Sequence, residues 1–365
     1  MKTTKIKQIK EWLPALNNPF IFAGPCSLET EEQTLITAKL LAKDKRVFAY
    51  RGGVWKPRTR PGSFEGVGKI GLRWLQNVKK ETGLLVGTEI ATAEHAYEAL
   101  KHDIDILWIG ARSTASPFIV QEIADAVSGS DKVVMIKNPV NPDLNLWLGA
   151  IERIASAGIE KIVAIHRGFT PFTQTKFRNY PGWKTAIDLK ALLPDLPIIA
   201  DPSHIAGRKD LILELSQKAF DLGMQGLMIE SHFNPEAALS DKEQQVTPQR
   251  LAEILNQLIK KSESSNDLQF EDVLEQLRER IDVLDTELLE ILALRREVVR
   301  KIGKHKKQQA VAVLQIHRWK EILDQRKLLG IKMELSSEFV NTLFNCIHEE
   351  SIKLQSEITD DVVNQ

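Results

Sequence analysis

Between Pro19 and about Lys261, short apolar runs rich in β-branched residues alternate with stretches of helical period. This alternation narrows the possible folds more than any other feature of the chain. Strands are expected at 20–27, 47–53, 84–90, 106–112, 133–139, 161–167, 197–204 and 226–232. Helical patterns lie between them, at 31–43, 67–82, 92–101, 144–157, 208–222 and 247–260. Eight strands separated by helices predict an α/β fold, a (β/α)8 TIM barrel, over residues 1–261. A doubly wound open sheet is the rival, but it would more usually carry a Gly-rich phosphate fingerprint after its first strand, and Gly24-Pro25-Cys26 is not one.

The polar run 262–267 has the composition of a linker, and Asp267 could cap a following helix. From there the character is all-helical. Leu274, Leu277, Ile281, Leu284, Leu288, Ile291, Val298 and Ile302 keep a helical period over a stretch longer than most globular helices. A break near 308–310 precedes a second helix ending near Gly330, read as its C′ residue, and Ser336 opens a third that runs to about Glu357. Three helices over 268–365 cannot bury so long an apolar stripe within one chain, which predicts a homodimer or higher oligomer.

At 365 residues, two domains are the prior. Lys plus Arg and Asp plus Glu balance at 49 each, which argues against a nucleic-acid or membrane-surface partner and makes any anion site local. Two irregularly placed cysteines suit a reducing compartment. The N-terminus has no apolar segment of signal-peptide length, and no run is long enough to span a bilayer. A cytoplasmic location is expected.

Arg51-Gly-Gly-Val-Trp-Lys-Pro-Arg-Thr-Arg60, followed by Pro61-Gly62, sets four cations on a stiff segment where a strand becomes a loop. Such groups suit carboxylate and phosphate oxyanions. In a barrel, chemistry sits where strands run out. Cys26, Arg51, Lys56, Arg58, Glu89, Arg112, Lys137, Arg167, His204 and Glu230 all fall at expected strand ends. Cys26, His204, Glu230 and Asp241 offer soft, borderline and hard donors, which suits Mn, Fe, Co or Zn better than Mg. Each also has a plainer reading, as a buried thiol, a barrel-rim imidazole or an arginine's partner. With the cations, the set points to a phosphorylated, anionic substrate carrying a carbonyl to polarise.

Gly24-Pro-Cys-Ser27, Lys56-Pro-Arg-Thr59, Ile109-Gly-Ala-Arg112, Arg167-Gly168, Asp201-Pro-Ser-His204 with Gly207-Arg208, and Ala238-Leu-Ser-Asp241 resemble the motifs of the 3-deoxy-D-arabino-heptulosonate 7-phosphate (DAHP) synthases of the short microbial type. The resemblance covers about residues 19–261. It implies a metal-dependent barrel condensing phosphoenolpyruvate with erythrose 4-phosphate. Cys26, His204, Glu230 and Asp241 would hold the metal, Mn²⁺ first, with Fe²⁺, Co²⁺ or Zn²⁺ as alternatives. Arg51, Lys56, Arg112, Lys137 and Arg167 would hold phosphoenolpyruvate, Arg58 and Thr59 the aldose phosphate, and Lys56 would donate a proton. Two places depart from the family: Ser113-Thr114-Ala115 follows Arg112, and Asn138-Pro139 follows Lys137. Lys56-Pro-Arg-Thr59 speaks against the sister 3-deoxy-octulosonate 8-phosphate synthases. The strand before Cys26 starts close to the N-terminus, leaving no expected room for a preceding regulatory domain.

On the long helix, Arg295 and Lys306 stand eleven residues apart, about 20° apart around the axis. Arg278 lies seventeen residues before Arg295, roughly 25 Å along it, and would serve another protomer's site. Cations on an apolar stripe need an anionic partner. Arg318, with Ser351 and Gln355, would complete a polar pocket. Leu277-Arg-Glu-Arg-Ile281, Asp285, Arg295-Arg296-Glu297 and Ile302-Gly303-Lys304 resemble the all-helical chorismate mutases over about 268–357. That family forms intertwined dimers. The resemblance implies Arg278 and Arg295 on the carboxylates of chorismate, Arg318 assisting, and Lys306 with Gln355 at the ether oxygen. Trp319 stands where that family usually has an acid, and Gln315 where it has Asp. The expectation is a bifunctional enzyme of aromatic amino acid biosynthesis, its synthase feedback-inhibited by prephenate or chorismate at the mutase domain. The alternative is a weak or silent mutase-like domain acting only as an allosteric sensor.

Overall fold

Eight parallel strands close on themselves in sequence order, from β1 through β8 and back to β1. They are β1 Phe20–Gly24, β2 Val47–Arg51, β3 Leu85–Ile90, β4 Ile106–Ile109, β5 Val133–Lys137, β6 Ile162–His166, β7 Ile198–Ala200 and β8 Gly226–Glu230. The computed structural model describes residues 6–16, 19–57, 62–171, 175–260 and 267–360. Its chain divides into two units, Met1–Glu263 and Ser264–Gln365. Most of the expected linker, residues 262–266, lies outside the described residues.

Strand side chains alternate between two cores. Phe20, Phe22, Ala49, Ile106, Trp108, Met135, Ile165 and Met228 fill the barrel interior, whereas Ile21, Ala23, Val86, Leu107, Val134, Ala164 and Ile229 pack outward with the helices. Burial on both faces is why these strands read as unbroken apolar runs. Ile9 and Leu16, from the segment before β1, join the interior cluster, and Trp12 meets Phe20 edge-on at 6.1 Å. Gly24 ends β1 at φ 153°, where an added Cβ would lie 2.0 Å from the Arg51 carbonyl oxygen. Only glycine lets β1 and β2 approach so closely.

The expected strands overshoot at their C-terminal ends. Arg112 sits in the short helix Ala111–Thr114, and His204 in the helix Pro202–Ala206. The second follows from Asp201-Pro202: the Asp201 side chain accepts from the His204 N–H, and proline occupies the first helical turn.

The second unit holds three helices, Leu268–Gln308, Ile316–Lys332 and Ser337–Asp360. Asp267 caps the first, accepting from the N–H groups of Gln269 and Phe270. Gly330 is not a C′ residue. The second helix runs on to Lys332, and Gly330 is buried where an added Cβ would meet Val340 Cγ2 at 2.4 Å. The residue is small because two helices touch there. Along the long helix, Leu277, Ile281, Leu284, Leu288, Ile291, Val298 and Ile302 lie exposed. Among the described residues, no helix is long and apolar enough to cross a membrane.

Candidate active sites

The C-terminal ends of the barrel strands meet at a cavity of about 430 Å³ lined by Lys56, Pro57, Ser63, Glu89, Gly110, Ala111, Arg112, Lys137, Val140, Arg167, Arg178, His204 and Asp241. At its floor, one ligand atom from each of Cys26, Glu230 and Asp241 lies within 4.8 Å of the others. His204 stands beside them, Nε2 3.8 Å from Glu230 Oε1, and its Nδ1 is 2.7 Å from Asp201 Oδ2. The Asp201 contact orients the ring and turns Nε2 toward the cluster. Glu230 Oε1 is buried with no hydrogen-bond donor. A cysteine sulfur, an imidazole nitrogen and two carboxylates are a donor set that fits a divalent transition metal, and the buried Glu230 oxygen lies among them.

Charge is arranged around this floor. Arg51 is buried, with one terminal nitrogen 3.3 Å from Glu230 Oε1, the other donating to the Cys26 carbonyl at 3.2 Å, and its guanidinium 5.0 Å over the Trp108 ring. Lys56 Nζ donates to Cys26 Sγ at 2.9 Å. Lys137 pairs with Asp201 at 2.8 Å, and Arg112 donates to the Pro57 carbonyl at 2.6 Å. Burial pushes the Cys26 thiol up to about 12. Burial also works against the carboxylates, yet the nearby His204 and Arg51 hold Glu230 below its usual range. Arg178 and His204 likewise outweigh burial at Asp241 and hold it well down. Burial opposes the charged form of Lys56 as well, but Cys26 and Glu230 raise it. Burial lowers Arg167 to about 10, so it stays a cation. Arg58 and Thr59 lie outside the described residues.

Several participants carried no sequence signal. Gln245 accepts from the Cys26 N–H at 3.0 Å, and Gln244 donates to Glu230 Oε2 at 2.7 Å. Arg178 donates to Asp241 at 3.1 Å and to Gln244 at 2.7 Å. Glu89, by contrast, was expected at a strand end; it accepts from the Trp108 indole at 3.1 Å and leans over Gly110, whose missing Cβ would lie 2.2 Å from Glu89 Oε1. An uncharged amide in a loop has no period or charge pattern to betray it.

In the helical unit, Arg295 donates to Ser351 Oγ at 2.6 Å, and Gln355 donates to the Ser351 carbonyl at 3.2 Å. The close approach rests on Gly303, whose missing Cβ would lie 3.3 Å from Gln355 Cγ. Lys306 turns back to the Val313 carbonyl at 2.6 Å. Arg318 is exposed and pairs with Glu321 on its own helix at 3.2 Å, and Arg278 is exposed beside Glu275. Arg295, Ser351 and Gln355 are thus brought together, whereas Arg278 and Arg318 are not joined to them. Trp319 stacks flat on His348, ring centroids 3.8 Å apart and 2° from parallel.

A family model described as the DAHP synthetase I family matches residues 13–266, more than half of the chain. The chain belongs to that family. A second model, chorismate mutase type II, matches residues 277–356. A phospho-2-dehydro-3-deoxyheptonate aldolase of Thermotoga maritima is 34% identical over 246 residues, 66% of this chain and 69% of that protein. A crystal structure of a Thermotoga maritima DAHP synthase superposes with a TM-score of 0.60 at 30% identity, over 70% of this chain and 75% of the other. A 2-dehydro-3-deoxyphosphooctonate aldolase of Syntrophotalea carbinolica is 29% identical over 252 residues, 62% of this chain and 84% of that protein. With a DAHP synthase domain and a chorismate mutase domain in one chain, this is a bifunctional enzyme of the shikimate pathway.

Proposed function

We propose that the barrel, over residues 1–261, condenses phosphoenolpyruvate and erythrose 4-phosphate with water to DAHP and phosphate, and that residues 268–365 rearrange chorismate to prephenate. The observation that carries the first half is the convergence of Cys26, Glu230 and Asp241 within 4.8 Å at a mouth rimmed by cations. Cys26, His204, Glu230 and Asp241 are the residues that would hold a divalent metal, Mn²⁺ first. When bound, it supplies Lewis acidity toward the aldehyde oxygen. Arg51, Lys56, Arg112, Lys137 and Arg167 hold phosphoenolpyruvate so that its enol carbon faces that aldehyde, and Arg58 and Thr59 take the aldose phosphate. Water adds to the former enol centre and phosphate leaves, with Lys56 as proton donor. Cations fixed in a buried site stabilise developing negative charge without reorganising.

In the helical domain, Arg278 of a second copy and Arg295 bind the carboxylates of chorismate, assisted by Arg318 and Ser351. Lys306 and Gln355 donate to the ether oxygen as its bond breaks, which favours the transition state over the ground state. The exposed apolar stripe of the long helix supports a homodimer, and a reducing cytoplasm suits the buried Cys26 thiol that would hold the metal. Feedback by prephenate or chorismate bound at this domain would reach the barrel. The stacked Trp319–His348 pair, in place of an acid, favours a second reading of the domain as a weak mutase kept as a sensor.

Paired assays on the purified chain test both halves, one following phosphoenolpyruvate loss with erythrose 4-phosphate, the other chorismate loss. Chelation should abolish the first, Mn²⁺ should restore it, and the second should be untouched. Use of arabinose 5-phosphate in place of erythrose 4-phosphate would overturn the synthase reading, and absence of chorismate loss would favour the sensor.

A further inference from the structure

Asn138-Pro139 is one of the two places that depart from the family resemblance, and the proposed chemistry leaves Asn138 without a task. It is fully buried. Its main-chain N–H donates to the Ile165 carbonyl at 3.0 Å, and its side-chain oxygen accepts from the Arg167 N–H at 2.7 Å. The side chain thereby extends the β5–β6 ladder one rung past the strand ends. Its amide nitrogen donates to the Gly168 carbonyl at 2.8 Å and to the Pro139 carbonyl at 2.9 Å. Alanine at this position would keep only the main-chain bond.

A second asparagine reaches the same arginine from the other side. Asn179 is buried, and its side-chain oxygen accepts from Arg167 NH1 at 2.8 Å. Its amide nitrogen donates to the His204 carbonyl at 2.6 Å, and its main-chain N–H to the Ile205 carbonyl at 3.1 Å. Each amide has its oxygen on a donor and its nitrogen on carbonyls, so neither can flip without losing its contacts. Between them they hold Arg167 at main chain and side chain. The NH1 group is engaged by protein, and Arg167 lines the cavity where an oxyanion would meet its guanidinium.

We propose that Asn138 and Asn179 are positioning residues that aim the Arg167 guanidinium at phosphoenolpyruvate, and that Asn179 also ties that aim to the backbone of His204. The inference rests on the reading that Arg167 binds phosphoenolpyruvate. Neutral amides suit the task because they orient the guanidinium without cancelling its charge. An aspartate at 179 would neutralise Arg167 and set an anionic oxygen against the His204 carbonyl.

The test compares Asn138→Ala, Asn179→Ala, Asn179→Asp and, as control, Arg167→Ala, each in the full chain with Mn²⁺. Loss of a hydrogen bond to the charged guanidinium predicts about a ten- to hundredfold rise in KM for phosphoenolpyruvate in the Asn179 variants, and loss of the neutral bond to the Arg167 main chain about a three- to tenfold rise in Asn138→Ala. Asn179→Asp should be the worst of them, and KM for erythrose 4-phosphate should stay within about twofold. A merely structural role would move both KM values and the thermal midpoint together. Mn²⁺ binding, titrated by electron paramagnetic resonance, should weaken in Asn179→Ala and not in Asn138→Ala, because only Asn179 touches the His204 segment; equal effects would overturn that link. Wild-type phosphoenolpyruvate KM in both alanine variants, with Arg167→Ala impaired, would overturn the positioning role alone. An unimpaired Arg167→Ala would instead overturn the underlying site reading. Should Asn138→Ala fail to fold, the two Asn179 variants decide the matter, since they interrupt no strand ladder.

Discussion

His166 ends β6 one residue before Arg167 and is fully buried. Its Nε2 faces the Pro181 carbonyl at 2.6 Å, so that nitrogen must carry the proton, while Nδ1 is buried without a partner. Charging the ring would add a buried N–H with nothing to accept it. Burial accordingly lowers His166 from about 6.5 to about 4. As pH falls, the unfolded chain takes up a proton near 6.5, whereas the folded chain resists until about 4. Stability is therefore complete above 6.5 and lost progressively below it. Between about pH 7.5 and pH 5 the loss from this one group is about 2 kcal/mol. His166→Gln keeps a donor for Pro181 and cannot titrate. Six of the seven tryptophans (Trp12, Trp55, Trp74, Trp108, Trp147 and Trp183) belong to the barrel unit, so tryptophan fluorescence during urea unfolding reports that unit. At a slope of about 3 kcal/mol per molar urea, the wild-type midpoint should fall about 0.7 M further than the variant's over this pH interval. Equal falls in the two proteins would refute the reasoning, because the unpartnered nitrogen would then cost nothing on protonation.

Gly24→Ala should lower stability by about 3 kcal/mol or more, since the methyl would overlap the Arg51 carbonyl at a φ of 153°; a thermal-shift measurement checks this, and a midpoint unmoved within about 2 °C would contradict it. Mixing Arg278→Ala and Arg295→Ala chains, each inactive in chorismate turnover, should restore about a quarter of wild-type sites if two copies share each site. No recovery after mixing and refolding would argue against a shared site. Trp319→Glu should raise kcat/KM for chorismate by about tenfold, the worth of one charge-assisted hydrogen bond; a steady-state assay showing a fall would mean that the stack on His348 matters more than the missing acid.

Strand positions were legible because burial on both faces leaves an unbroken apolar run, and Phe20–Gly24 or Val133–Lys137 could scarcely be missed. Their C-terminal ends were not. Arg112 and His204 look like continuations of a strand, although each belongs to a short helix, the second of them capped by Asp201. The gathering of Cys26, Glu230 and Asp241 was foreshadowed by unusual donors at strand ends. What surrounds them was hidden, since Asn138, Asn179, Gln244 and Gln245 are uncharged side chains whose hydrogen bonds are made only once the chain has folded. Gly330 was misread because a helix stop and a helix–helix contact both ask for the smallest residue. The Trp319–His348 stack joins two helices that the sequence could place but not register.

The two cysteines differ in a way that turns the chain into its own chemical probe. Cys26 is buried and resists losing its proton, whereas Cys346 is exposed on the third helix of the other unit. Alkylating reagents consume the thiolate, so a maleimide should label Cys346 and spare Cys26. A single tag would then sit at a known address on the helical unit, beside Arg296 and Glu350 in the groove that the long and third helices form. Its rate of attachment becomes a footprint: anything that covers this groove, whether another copy of the chain or a bound ligand, should slow the chemistry by shielding one sulfur.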